Sequence, residues 1–446
     1  MHFPTAGGPF FRHLRMWHAV LASLVVVAVV VAFLVLRPSD GVRSVPNSPC
    51  RPTDSAREDT PAIPDLDGDG SADLVYESAD RVPDFDVIIV PGSEQGPDHD
   101  RATVLSRDDL GVPDDIQTID DQWRPTVADL DEDGHADLVY SGAAQVLWGG
   151  PEGPQAGGPH GRVPLPGGGN FDAPTAGDFD GDGHTDLAVF RSSAKGDELV
   201  VLKGPFKRSG APARTVEIPS PITENASPVL ASGDANGDRA TDLALYDSPY
   251  DPPLLFTGGA RTSSGLSKEP ERLPEGENVV FGDFDGDGRQ DVAVGRSFVD
   301  SYDDVDTPDR RGQVRVRYGK EPGKWVTIEG GDFKEGFGTT LAAGDFNGDG
   351  CDDLAVQLTK KKETGDARIE VLRGGSEDGL GSKPWRATKR PVSGDGGNGS
   401  LFDVQDWDGD GRAELTLFGT DRWWITDGTA RDEASFPNVP SKEQGS

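Results

Sequence analysis

The chain has 446 residues, with 43 Lys and Arg against 78 Asp and Glu, giving a formal net charge of −35. Such a charge repels nucleic-acid phosphates, so nucleic acid is excluded as a partner. Hydrophobic residues at 34% with 59 glycines leave ordinary core material, and 35 prolines keep the chain short of a low-complexity composition.

Residues 1–18 read as a short cytoplasmic N-terminus. Ala19–Leu36 follows, an 18-residue run whose one polar member is Ser23. As a helix it spans about 27 Å, close to the hydrocarbon thickness of a bilayer. Arg12, Arg15 and Arg37 flank it. The run is longer than the apolar part of a cleaved signal peptide, and only the weak Ser39-Asp40-Gly41 follows as a cleavage site. An uncleaved transmembrane signal anchor is expected, with a cleaved signal peptide as the alternative. Residues 37–59 form a Pro-rich stalk that carries Pro38, Pro46, Pro49 and Pro52. Residues 60–440 are one repetitive body, and 441–446 a polar tail.

The body repeats one motif. Asp65-Leu-Asp-Gly-Asp-Gly-Ser-Ala-Asp73 returns at Asp129, Asp178, Asp234, Asp283, Asp345 and Asp406, at spacings of 49 to 64 residues. Numbering each loop from its first Asp, positions 1, 3, 5 and 9 carry side-chain oxygens. The first three sets are Asp65, Asp67, Asp69, Asp73; Asp129, Asp131, Asp133, Asp137; and Asp178, Asp180, Asp182, Asp186. The fourth is Asp234, Asn236, Asp238, Asp242, and the fifth Asp283, Asp285, Asp287, Asp291. The sixth is Asp345, Asn347, Asp349, Asp353, and the seventh Asp406, Asp408, Asp410, Glu414. These 28 positions hold 26 carboxylates, one third of all acids in the chain.

Calcium takes six to eight hard oxygen ligands, and alternate residues of a tight loop can turn inward to supply them. A glycine at position 6 permits the left-handed backbone such a loop needs. An EF-hand shares this opening but requires a Glu at position 12 and a following helix. Here position 12 is Tyr76, Tyr140, Val189, Leu245, Val294, Val356 or Leu417. Up to seven Ca²⁺ sites are expected, with the Asp234 loop weakest because Arg239 replaces its glycine and Asn236 lowers its charge. Seven ions would bring −35 to −21.

Each loop sits between two short strands. Small-residue strands precede it, as in Pro174–Gly177, Val229–Gly233, Val279–Gly282 and Leu341–Gly344. Alternating apolar strands follow, as in Leu187-Ala-Val-Phe190. A third strand then ends at glycine: Val87–Gly92, Val146–Gly149, Val200–Gly204, Leu254–Gly258, Val314–Gly319, Ile369–Gly374 and Trp423–Gly428. A weaker fourth reads at Ala102–Leu105, Thr215–Ile218 and Val326–Ile328. Four antiparallel strands of this length cannot bury both faces alone, so the units stack on their copies. An all-β, seven-bladed β-propeller is expected, with an open solenoid as the alternative.

These loops, and Gly336-Phe-Gly-Thr-Thr-Leu-Ala-Ala-Gly-Asp-Phe-Asn-Gly-Asp-Gly350 above all, resemble FG-GAP (VCBS-type) repeats, the blades of integrin α-subunit propellers and of many bacterial surface proteins. The resemblance covers about residues 60–440. It implies structural calcium loops on one face and ligand contact on the opposite face. The opposite-face loops then include Ala79–Phe85, Ser248–Pro253, Val299–Gly312 with Tyr302, and Thr359–Ala367 with Lys360-Lys361-Lys362. The Phe-Gly signature is clean only at Phe337-Gly338.

Cys351 stands at position 7 of the sixth loop, and a bond to Cys50, the only other cysteine, would tie the stalk to the loop face; two free thiols are the alternative. The histidines are His2, His13, His18, His99, His135, His160 and His184, and no Ser/His/Asp order or nucleophile elbow stands out among them. The expected function is a calcium-binding cell-surface or secreted module, not an enzyme, that binds a protein or glycan ligand, held to the membrane by its N-terminal helix. The alternative is an extracellular hydrolase or lyase acting on carbohydrate or lipid from the same scaffold.

Overall fold

The computed structural model describes residues 50, 64–78, 86–93, 96–111, 126–140, 144–165, 171–193, 196–219, 228–246, 251–259, 264–298, 311–330, 336–358, 366–376, 379–391, 400–419, 422–428 and 434–437. The predicted membrane helix, most of the stalk and the tail lie outside them. So do 79–85, 248–250, 299–310 and 359–365, which hold most of the predicted opposite-face loops.

The described residues form seven antiparallel sheets and no α-helix. Six sheets have four strands each in simple up-and-down order. The blade that begins Asn278–Gly282 continues through Asp291–Arg296 and Gln313–Arg317 to Trp325–Glu329. The first sheet shows three strands among the described residues, Leu74–Ser78, Asp86–Val90 and Thr103–Ser106. Strands expected from the sequence recur with ends shifted by a few residues. Val229–Gly233 is reproduced, while Leu341–Gly344 lengthens to Phe337–Gly344.

Apolar packing closes the sheets into a ring. Seven clusters of buried side chains each join two neighbouring sheets. Val280 and Val314 of blade five pack on Leu341 and Val356 of blade six, for instance. The closing junction sets Leu74, Tyr76 and Ile88 of blade one against Trp407, Trp423 and Phe436 of blade seven. A junction between first and last sheets excludes the open solenoid. The structure is a seven-bladed β-propeller whose blades bury both faces against their neighbours. Small residues crowd the inner strands: Ala231, Ala342 and Ala343 are buried, and a Cβ on Gly282 would come within 2.9 Å of the Ala343 methyl.

Register places the acidic loops. Position 9 opens the second strand and pairs with the last residue of the first, as in Gly233↔Asp242, Gly282↔Asp291 and Gly344↔Asp353. Every loop is therefore the same turn at the same end of its blade. No helix among the described residues is long and apolar enough to cross a membrane.

Candidate metal centres

Backbone donors fold each loop around its first carboxylate. Asp65 accepts the N–H groups of Gly68 at 2.6 Å, Asp69 at 3.1 Å and Gly70 at 2.7 Å. Asp178, Asp234 and Asp345 accept the same three bonds in their loops. This turn needs left-handed backbone at two positions, 4 and 6. Gly68 and Gly70 have φ of 74° and 89°, and the other loops follow. Position 4 is the half of the signal that the sequence reading did not single out.

Position 9 is the buried keystone. Asp137, Asp186, Asp291 and Asp353 are fully buried. One oxygen of Asp73 accepts the Leu66 N–H at 2.7 Å, and the other accepts the Gly92 N–H at 2.8 Å. The same pair of bonds ties Asp137 to Leu130 and Gly149, Asp242 to Ala235 and Gly258, and Asp291 to Phe284 and Gly319. This explains the glycine that ends each third strand. A Cβ on Gly92 would collide with the Ala72 carbonyl, so only glycine brings that N–H close enough. In the seventh loop the longer Glu414 still accepts the Trp407 N–H at 3.0 Å.

Carboxylates of positions 1, 3 and 9 converge. Oxygens of Asp65, Asp67 and Asp73 lie within 4.8 Å of one another, as do those of Asp129, Asp131 and Asp137; Asp178, Asp180 and Asp186; and Asp283, Asp285 and Asp291. Position 5 stands outside these triplets. Asp69, Asp133, Asp182, Asp238, Asp287, Asp349 and Asp410 each accept the position 7 N–H and so brace the turn. Position 3 supplies the test of fit for a cation. Oδ1 of Asp131, Asp180 and Asp285 is buried with no hydrogen-bond partner. A buried carboxylate oxygen without a donor is costly, and a hard divalent cation is the partner this all-oxygen set suits. In the fourth and sixth loops the amide answers the need internally. Asn236 Nδ2 donates to Asp242 at 3.2 Å, and Asn347 Nδ2 to Asp353 at 3.0 Å.

Burial, with crowding behind it, raises the pKa values of these groups. Desolvation pushes Asp73, Asp137, Asp242 and Asp353 up to about 7, helped by neighbouring carboxylates and opposed by the backbone donors. Burial raises Asp283 to about 7 and Asp291 to about 9. Asp186 and Asp406 reach about 6 for the same first cause.

Basic side chains from outside the loops also approach them, a feature the motif did not contain. Arg101 lies 3.6 Å from Asp67, Arg208 2.6 Å from Asp131, Lys320 2.5 Å from Asp285, Arg373 2.7 Å from Asp349, and Lys203 2.7 Å from Asp180. Three of them flank the third-strand glycines Gly204, Gly319 and Gly374, which was the available sequence signal.

Adjacent loops are bonded to each other. The position 8 N–H of one donates to the position 1 carbonyl of the loop before it: Ala136 to Asp65 at 2.8 Å, Thr241 to Asp178 at 2.7 Å, Asp352 to Asp283 at 2.9 Å and Ala413 to Asp345 at 2.9 Å. Asp352, missed from the sequence, also accepts the Asp283 N–H at 2.8 Å, and its burial raises its pKa well above the usual range. The two cysteines are bonded, with Cα atoms 5.1 Å apart. The bridge packs on the fifth loop, where a Cβ on Gly286 would lie 2.8 Å from Cys351 Sγ.

The irregular fourth loop keeps the common turn. Arg239 takes φ of 72° at position 6, and its N–H still reaches Asp234 at 2.8 Å. A left-handed non-glycine residue costs about 1–2 kcal/mol. Arg239→Gly is therefore expected to stabilise the chain by about 1 kcal/mol, read as a higher urea midpoint at unchanged slope.

Family models agree with this geometry. An FG-GAP-like repeat matches residues 129–189, and an FG-GAP repeat matches 276–316 and 337–357. Integrin alpha pat-2 of Caenorhabditis elegans is 27% identical over 210 residues, 42% of this chain. The match spans 17% of that longer protein. The chain carries FG-GAP repeats and is similar over part of its length to an integrin α-subunit. Among solved structures it is similar to the exotype rhamnogalacturonan lyase YesX, at 14% identity, 61% coverage of this chain, 50% of that one and a TM-score of 0.34. A Synechocystis apocarotenoid oxygenase mutant gives 11% identity, coverages of 71% and 72%, and a TM-score of 0.38. The Vibrio cholerae biofilm matrix protein Bap1 gives 12%, 87%, 83% and 0.24. None of these three bears on the chemistry of this chain.

Proposed function

We propose that the chain is a calcium-binding propeller at the cell surface or secreted from it, acting as a non-catalytic ligand-binding or adhesion module. The observation that carries the calcium reading is the buried, partnerless position 3 oxygen of Asp131 and of Asp285, each inside converging carboxylates. Calcium would be held by positions 1, 3 and 9 of the Asp65, Asp129 and Asp283 loops, with position 5 as the expected fourth side-chain ligand that also braces the turn. Bound there, the ion supplies charge neutralisation and rigidity. The Cys50–Cys351 bond fits an oxidising compartment, where weak calcium modules meet abundant calcium.

Support for binding comes from Trp385, the one large hydrophobic side chain exposed among the described residues. Its ring lies 3.9 Å from the Arg386 guanidinium carbon and 5.8 Å from that of Arg373. Exposed aromatics set between arginines are typical of recognition surfaces.

The test is retention of the labelled full-length chain on intact source cells, in millimolar calcium and in EGTA. Calcium-dependent retention, weakened by Trp385→Ala, is expected. Equal loss to the wash in both conditions overturns the binding reading.

A further inference from the structure

The third loop differs from its neighbours in what stands among its carboxylates. Lys203 closes the strand Gly196–Lys203, next to Gly204, whose N–H binds Asp186. Its side chain is only 6% exposed. Nζ lies 2.7 Å from Asp180 Oδ2 and 3.2 Å from Asp186 Oδ2. Those two carboxylates and Asp178 form the position 1, 3 and 9 triplet of this loop. A full positive charge with three donors thus sits against the converging oxygens.

The other basic neighbours are different. The side chains of Arg101, Arg208, Lys320 and Arg373 are 55%, 51%, 44% and 50% exposed. Each can leave its loop for water when a metal arrives. Lys203 has no such exit. It packs beneath Gly265, where an added Cβ would lie 3.1 Å from Lys203 Cε. Displacing it would leave a buried ammonium without its partners, a cost larger than a weak calcium site returns. A tethered cation is also present at every calcium concentration.

We propose that Lys203 is a built-in counter-ion that occupies the third loop in place of calcium, so that this loop holds its turn without metal. The proposal rests on the calcium reading for the neighbouring loops and assigns a different state to this one.

Two measurements test it. Bound calcium per chain is counted after equilibrium dialysis at millimolar calcium, for the full chain and for Lys203→Met. The variant is expected to hold one more ion, and equal non-zero counts overturn the proposal. If neither chain holds calcium, the calcium reading fails, and the second measurement alone decides the role of Lys203. That measurement is reductive methylation of the unaltered chain in calcium and in EGTA, read by peptide mass spectrometry, and it needs no variant to fold. Lys203 is expected to stay unmodified in both conditions while Lys320 and Lys324 react. Methylation of Lys203 in EGTA shows that it does not fill the loop, and methylation only in calcium shows that the ion displaces it; either overturns the proposal.

Discussion

Chelating calcium from the full chain is expected to lower its thermal midpoint by about 4–8 °C relative to the same chain in millimolar calcium. Extracellular calcium modules with dissociation constants near 10⁻⁴–10⁻³ M gain roughly 1–2 kcal/mol per site at that concentration when only the folded state binds. The three loops assigned to calcium then supply on the order of 3–6 kcal/mol. A fold of this size unfolds with an entropy of about 0.8 kcal/mol/K, from roughly 2.1 cal/mol/K per residue. The quotient sets the shift. Parallel calorimetric scans in calcium and in EGTA check it, and superimposed transitions would remove the structural role of the metal. The loop-to-loop bonds Ala136 to Asp65 and Ala413 to Asp345 make a single cooperative transition the expected form.

Acidity should move the stability of the two states in opposite directions. In the chelated chain, Asp73, Asp137, Asp242 and Asp353 have folded pKa values near 7, and Asp291 near 9, all above the unfolded carboxylate value. A group raised in the folded state contributes stability that is complete below its unfolded pKa and is lost as pH climbs through its folded pKa. The chelated chain should therefore melt higher near pH 5 than near pH 7.5, with the loss spread over about pH 4 to 7 and Asp291 extending it to about 9. The calcium-loaded chain should do the reverse, since the ion requires the deprotonated carboxylates and protons compete for them. Midpoints measured across this range with and without chelator give two curves that cross. Two curves that rise together with pH would mean that the buried aspartates are ionised in the metal-free fold.

Much of this architecture was legible because one nine-residue pattern fixes its own surroundings. A carboxylate at position 9 must begin a strand, a third strand must end at glycine beneath it, and seven repetitions leave a ring as the compact solution. Gly92, Gly149 and Gly258 were visible as strand ends, yet their reason lies in bonds to Asp73, Asp137 and Asp242 across a hairpin. Contacts between blades were not legible at all. Arg208 reaches Asp131 of the preceding blade and Asp352 accepts the Asp283 N–H across the next junction, and no spacing along the chain announces either. Position 5 was read as a ligand from its place in the pattern, and the fold adds a second task, since one of its oxygens accepts the position 7 N–H. Cys351 was recognisable at position 7, but its pairing with Cys50 depends on the fifth loop leaving a gap at Gly286.

The same bridge has a mechanical meaning. Residues 51–350 lie within one covalent loop, closed by a bond between positions 301 residues apart. Tension applied between the two ends of the chain passes from Cys50 directly to Cys351 and on to the C-terminus. Blades one to five, with the Asp65, Asp129, Asp178, Asp234 and Asp283 loops, carry none of that load. Only the strands after Cys351 can be drawn out by stretching, so extension under force should stop far short of the contour length until the bridge is reduced. The chain can therefore be pulled hard by its ends while most of the ring keeps its shape.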